Sequence, residues 1–176
     1  MLQASAQWNW YACSQSNTLR LDMGPEMEFC TPFKLRQLTD LAFENPHFNL
    51  RDAEFYQQVT SYLVNLAYWS PSQVCQIALN ATAAKFYLKP VLAKSWFFEQ
   101  YTGSQPSTEA IVNLQSVSDQ GQFLIVDYSE QASLCLCLEN SFSLDENLSL
   151  KQFEVIRVLN DRIHPINIDY SQQKRA

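Results

Sequence analysis

The sequence predicts an α+β protein in which an N-terminal α/β domain, a β-meander plus helices, packs on a C-terminal twisted, β-barrel-like domain with one C-terminal helix. Three observations predict it. Residues from Trp8 to Thr31 alternate with period two, two amphipathic helical stripes follow capping signals at Asn49 and Ser70, and period two returns beyond Pro90. The change of period at Pro90 places the domains at 1–90 and 91–176.

In the first domain, Trp8, Trp10 and Ala12 alternate with polar residues, then Leu19, Leu21 and Met23, then Met27 and Phe29 beyond the Gly24-Pro25 break, as in a three-stranded antiparallel meander. Thr31-Pro32 reads as an N-cap with proline at the first helical position. A short helix carrying Phe33, Leu35, Leu38 and Leu41 is therefore expected there. Asn49 caps a longer helix in which Phe55, Val59, Tyr62, Leu63 and Leu66 share a face. Ser70-Pro71-Ser72-Gln73 is a capping box with proline at N1, because the serine hydroxyl and the glutamine side chain each satisfy a free amide at the helix start. Val74, Ile77, Ala78, Ala81 and Leu88 form the apolar face of that helix, and Pro90 ends it.

In the second domain the alternating stretches are Trp96 with Phe98, then 111–117, 123–128 and 134–138, then Phe142 with Leu144. Short strands at such spacing predict a small twisted sheet or barrel. Ser149-Leu150-Lys151-Gln152 is a second capping-box pattern, predicting a helix with Phe153, Ile156, Leu159 and Ile163 on one face and a stop at Pro165. A last strand over 166–170 and a polar, frayed tail over 171–176 complete the expectation.

Composition narrows the function. Hydrophobic types make up 47% of the 176 residues and charged ones 17%, below the ~25% usual for globular domains, which describes a folded chain. Twelve Lys and Arg against eighteen Asp and Glu give a net charge of -6, a field that repels nucleic acid and anionic lipid. No apolar run reaches the ~20 residues needed to span a bilayer, and Met1 to Trp10 lacks the basic and apolar parts of an export signal, so a cytoplasmic protein is expected. Five cysteines without a CxxC pair predict reduced thiols and neither a disulfide framework nor a zinc site.

Catalytic constellations are missing from the pattern. His47 and His164 lie on opposite sides of the expected boundary, and three glycines cannot make a phosphate-wrapping loop. Cys135 and Cys137 share a strand face and read as core. A cysteine-dependent enzyme pairing a thiol with either histidine is the alternative class, but no cysteine carries a local signature for it. The reading is of a binding module with no catalytic residues, cofactor or metal. Against the acidic background, Lys85, Lys89 and Lys94 lie beside Phe86, Tyr87, Trp96 and Phe97. Such a basic-aromatic cluster suits docking of an acidic segment, with a solvated helix end as the competing reading.

Several short runs together resemble the bacterial cell-division protein ZapC family. They are Trp8-Asn9-Trp10-Tyr11, Leu21-Asp22, Leu79-Asn80-Ala81, Tyr87-Leu88-Lys89-Pro90, Lys94-Ser95-Trp96, Ala132-Ser133-Leu134-Cys135-Leu136 and Asn160-Asp161-Arg162-Ile163-His164-Pro165. The resemblance spans nearly the whole chain. It implies a monomeric, non-enzymatic partner of the tubulin-like division GTPase FtsZ that bundles its protofilaments, stabilises the septal ring and lowers GTP turnover. It also implies a C-terminal pocket with an apolar centre and a basic rim, which maps onto Lys89, Lys94 and Arg162, with Trp96 and Tyr87 as aromatic neighbours. His164 departs from the family pattern, where lysine is usual, so that either the rim is weaker here or the histidine contributes only a hydrogen bond. The acidic, partly apolar C-terminal tail of FtsZ is the expected ligand, and Trp10, Leu21 and Asp22 on the first hairpin are the expected second contact surface. A generic peptide-binding adaptor with another partner is the remaining alternative.

Overall fold

A computed structural model of the chain describes residues 2–101 and 111–166. It divides into two compact units between Lys89 and Pro90.

The N-terminal unit begins with β1 (Asn9–Cys13), β2 (Thr18–Asp22) and β3 (Glu28–Lys34), an antiparallel meander in sequence order. Alternation sends Trp10, Leu19, Leu21 and Phe33 inward. Two helices complete the unit: α1 (Leu50–Leu66) and α2 (Pro71–Tyr87). Both start on reciprocal caps. The Asp52 amide donates to Asn49 Oδ1 at 3.0 Å, and the Gln73 amide donates to Ser70 Oγ at 3.2 Å while Gln73 Oε1 accepts from the Ser70 amide at 2.9 Å. α2 is buried almost all round, its run of small alanines letting neighbouring elements come close.

Asp52 at N3 of α1 does more than cap. It is fully buried, and its Oδ2 accepts from Trp10 Nε1–H at 3.1 Å and from the Tyr87 hydroxyl at 2.8 Å. One carboxylate thus ties sheet, α1 and α2 together. Burial raises its pKa above the ordinary carboxyl value, against the opposing pull of those two hydrogen bonds. Around it Trp8, Trp10, Phe48, Tyr56 and Tyr87 form a continuous aromatic cluster, with Trp10 and Tyr87 centroids 5.5 Å apart.

The C-terminal unit holds β4 (Ile111–Gln115), β5 (Gln120–Tyr128), β6 (Ala132–Cys137), β7 (Ser141–Ser143), β8 (Ser149–Lys151), β9 (Val155–Leu159) and β10 (His164–Pro165). Five of them form an antiparallel sheet in the order β10-β4-β5-β6-β9, and β7 pairs with β8 as a separate hairpin. Val112, Leu114, Phe123, Ile125, Cys135, Cys137, Ile156 and Val158 alternate into one apolar core, capped by Phe98 and Phe142.

Four expectations are corrected. The sheet is open, not a barrel: β10 is two residues long and includes Pro165, which has no amide to donate, so β10 and β9 remain edges. No helix starts at Thr31. The Thr31 hydroxyl donates to the Leu19 carbonyl at 2.7 Å across the sheet and accepts from the Phe33 amide at 3.3 Å within the extended β3, and Pro32 falls where the register of β3, an edge strand, shifts, a place that tolerates a missing donor. Nor does a helix follow Ser149, where β8, a turn with Phe153 at φ 69°, and β9 occupy the segment. Ile156 and Val158 are buried and alternate with Val155, Arg157 and Leu159, a period of two that outweighs the capping pattern. Trp96 lies in a 3-10 turn, Ser95–Phe97, and not in a strand. The strand expected over 166–170 and the tail after it lie outside the described residues from 167 on.

Candidate basic-aromatic docking face

The segment Lys94–Tyr101 runs beside β9 and its continuation to His164, held there by hydrogen bonds along its length. The Lys94 amide donates to the Arg157 carbonyl at 2.8 Å, and the Leu159 amide donates to Ser95 Oγ at 2.8 Å. Further along, the Tyr101 amide donates to the Asp161 carbonyl at 2.7 Å, and His164 Nε2 lies 3.4 Å from the Glu99 carbonyl. Anchors of this kind fix the backbone and turn the intervening side chains outward. Trp96 is 71% exposed although Phe98, two residues on, is buried in the core, and Leu92 is 88% exposed. Lys94 is exposed as well.

Arg162 sits in the 3-10 turn Asn160–Arg162 that follows β9. Its Nε is 3.8 Å from Asp161 Oδ1, an ion pair too long for a good hydrogen bond, and its side chain is partly buried. The His164 ring is 4.9 Å from that of Tyr101, so this histidine is held between an aromatic neighbour and a carbonyl. Within the C-terminal unit, then, Lys94, Trp96, Arg162 and His164 belong to two adjacent, hydrogen-bonded segments. Leu92 and half-exposed Leu159 add apolar surface that the sequence reading did not single out. The arrangement can present apolar area with cations, the chemistry that receives an acidic, partly apolar polypeptide.

The remaining site residues belong to the N-terminal unit. Lys89 is exposed, with its amide donating to the Gln37 carbonyl at 2.8 Å and its ammonium to the Arg36 carbonyl at 3.3 Å. Tyr87 has no exposed surface and gives its hydroxyl to Asp52, so it supports the core and cannot itself meet a partner. Trp10 and Leu21 are likewise fully buried on the inner face of the meander. Of Trp10, Leu21 and Asp22 only Asp22 is exposed, and its Oδ1 accepts from the Gly24 amide at 3.0 Å to shape the turn. Burial pushes the Cys135 and Cys137 thiols up to about 12, far from a nucleophile's range. Asp52, the anchor of the N-terminal core, could have been found from the Asn49-x-x-Asp52 capping pattern.

Comparison with known proteins supplies the identity. Residues 1–89 match the family model described as "Cell-division protein ZapC, N-terminal", and residues 90–169 match "Cell-division protein ZapC, C-terminal". Among similar curated proteins, the "Cell division protein ZapC" of Pseudoalteromonas translucida is 63% identical over 176 residues, covering 100% of both chains. The proteins of that name from Shewanella woodyi and Vibrio cholerae are 36% identical over 171 residues and 35% over 170, covering 96% and 95% of this chain and 93% of each relative. No helix among the described residues is long and apolar enough to cross a membrane. With the two family models matching residues 1–89 and 90–169 and a relative of that identity along the whole chain, the chain belongs to the cell-division protein ZapC family.

Proposed function

We propose that this chain is a non-enzymatic accessory of the division septum that binds polymerised FtsZ, bundles its protofilaments and slows their GTP turnover in the cytoplasm. Family membership supports the division role. The observation that carries the docking assignment is the exposed Trp96 held beside β9, with Lys94 on its own segment and Arg162 on the neighbouring one. Large aromatics are seldom left in water without a use, and here the surrounding cations set the sign of the partner. Lys89, a site residue of the N-terminal unit, is likewise an exposed cation in its own unit and is tested by itself.

An acidic, partly apolar segment fits such a face, and the C-terminal tail of FtsZ has that composition. The test is sedimentation of the purified chain with FtsZ polymer and GTP. Lys94→Glu and Lys89→Glu should each abolish co-sedimentation with circular dichroism and melting point unchanged. Binding should also weaken as salt rises, because rim charges are screened within about 8 Å at physiological ionic strength. Undiminished pelleting of both variants would remove the assignment. FtsZ lacking its terminal peptide locates the contact: lost binding assigns it to the tail, and retained binding assigns it to the globular body of the polymer.

A further inference from the structure

Of the cations assigned to the docking face, Arg162 is the one that, among the described residues, meets a carboxylate of its own chain. It and Asp161 are neighbours in the 3-10 turn Asn160–Arg162, where consecutive side chains diverge, so the guanidinium must fold back toward its own turn to make the contact. The result is a poor pair. At 3.8 Å from Nε to Oδ1 it is an ion pair without a hydrogen bond, and no two-pronged guanidinium–carboxylate fork forms at that distance. Both atoms are closed to water, and neither has a hydrogen-bond partner among the described residues. Two complementary groups thus face each other unsatisfied, an arrangement that a better-placed acceptor relieves.

The two side chains differ in what they lose on separation. Asp161 is 49% exposed at its side chain, and its Oδ2 accepts from Gln100 Nε2 at 3.4 Å, so water and that amide receive the carboxylate when the arginine leaves. The Arg162 side chain is 19% exposed and depends on a carboxylate to offset its charge. The turn does not need the pair: the Asp161 carbonyl accepts from the Tyr101 amide at 2.7 Å, and the Ile163 amide donates to the Asn160 carbonyl at 3.2 Å.

We propose that Asp161 is a specificity-determining residue, an internal stand-in for the partner's carboxylate: it holds Arg162 loosely in the free chain, and an acidic group of the docked segment takes its place. The inference rests on the docking reading and deepens it, by assigning one cation of the face to one kind of group on the ligand. A guanidinium released from a strained contact can offer its planar fork to the incoming carboxylate. A segment with apolar groups alone cannot make the exchange and leaves Arg162 with Asp161, so the pair also selects against such ligands.

The test is a double-mutant cycle read by co-sedimentation of the full chain with FtsZ polymer and GTP, each variant checked by circular dichroism. Asp161→Asn keeps the shape and an acceptor for Gln100 but gives up the charge, and it should tighten binding by about fivefold, the size of one ion pair. Arg162→Gln should weaken binding, and adding Asp161→Asn to it should change the affinity by no more than about twofold. Asp161→Glu, which retains the carboxylate, should show no gain. Tighter binding is a result that a merely structural role for Asp161 does not produce. Unchanged or weaker pelleting by folded Asp161→Asn would overturn the inference and leave the docking reading standing. An equal gain with and without Arg162 would overturn it as well, by reducing Asp161 to a general negative charge near the face. If Asp161→Asn does not fold, Asp161→Ser takes its place in the same cycle. Wild-type chain that fails to pellet removes the docking reading, and this inference with it.

Discussion

Trp10 and Trp96 mark the difference between the two units. Each follows a short polar or basic run and sits near other aromatics, yet the first has no exposed surface and the second is 71% exposed. Trp10 lies on a meander strand whose inner face is closed by two helices, and its indole N–H is satisfied by a buried carboxylate. Trp96 lies in a turn anchored to the β9 edge by its flanking backbone and a serine hydroxyl, and among the described residues its aromatic neighbour is the Phe97 ring, 5.5 Å away. An aromatic residue therefore becomes core or contact surface according to what its backbone is bonded to, and residue type does not decide it.

Asp52 gives the sharpest way to break that comparison. Asp52→Ala removes the acceptor shared by Trp10 and Tyr87 and leaves two buried donors unpaired, which should cost about 3–5 kcal/mol. Denaturation followed by helical circular dichroism reports on the N-terminal unit, because both α-helices of the described residues belong to it. A loss below about 1 kcal/mol would show that the carboxylate is not the unit's anchor.

The same residue predicts a pH dependence. Its folded pKa is raised by burial, so the native chain binds that proton more tightly than the unfolded chain does. The resulting stabilisation is complete below the unfolded carboxyl's range and is lost as pH climbs through the folded value. Between mildly acidic and neutral pH the wild type should lose stability that Asp52→Asn, which has no proton to release, retains. Parallel melting curves for the two proteins would show this, and superimposable slopes would refute it.

Trp96→Ala should behave in the opposite way from any change at Asp52. Its effect on stability should stay within about 0.5 kcal/mol, while co-sedimentation with FtsZ is lost. The smallest effect concerns the thiols. Cys30 is exposed and should alkylate readily in the native protein, whereas Cys135 and Cys137, buried and raised to about 12, should react only on unfolding.

Local signals were legible in the sequence where they were also locally decided. The caps at Asn49 and Ser70 and the alternation of the meander depend on residues a few positions apart, and the structure has them. The patterns at Thr31 and Ser149 failed because the same hydroxyl and proline chemistry serves strand edges and turns as well as helix starts. The docking face was legible only in part. Lys94 and Trp96 stand out by composition, but their adjacency to Arg162 depends on β9 becoming an edge of the sheet, and sheet order is set by long-range pairing.

The hydrogen bond between the Leu159 amide and Ser95 Oγ has a consequence beyond orienting Trp96. An open β flank is a template on which another chain can add a strand, a hazard at high protein concentration. By filling part of that flank with its own backbone and one hydroxyl, the C-terminal unit blunts sticky growth of sheet onto sheet. Ser95→Ala should therefore show itself first as a loss of colloidal solubility during storage at high concentration.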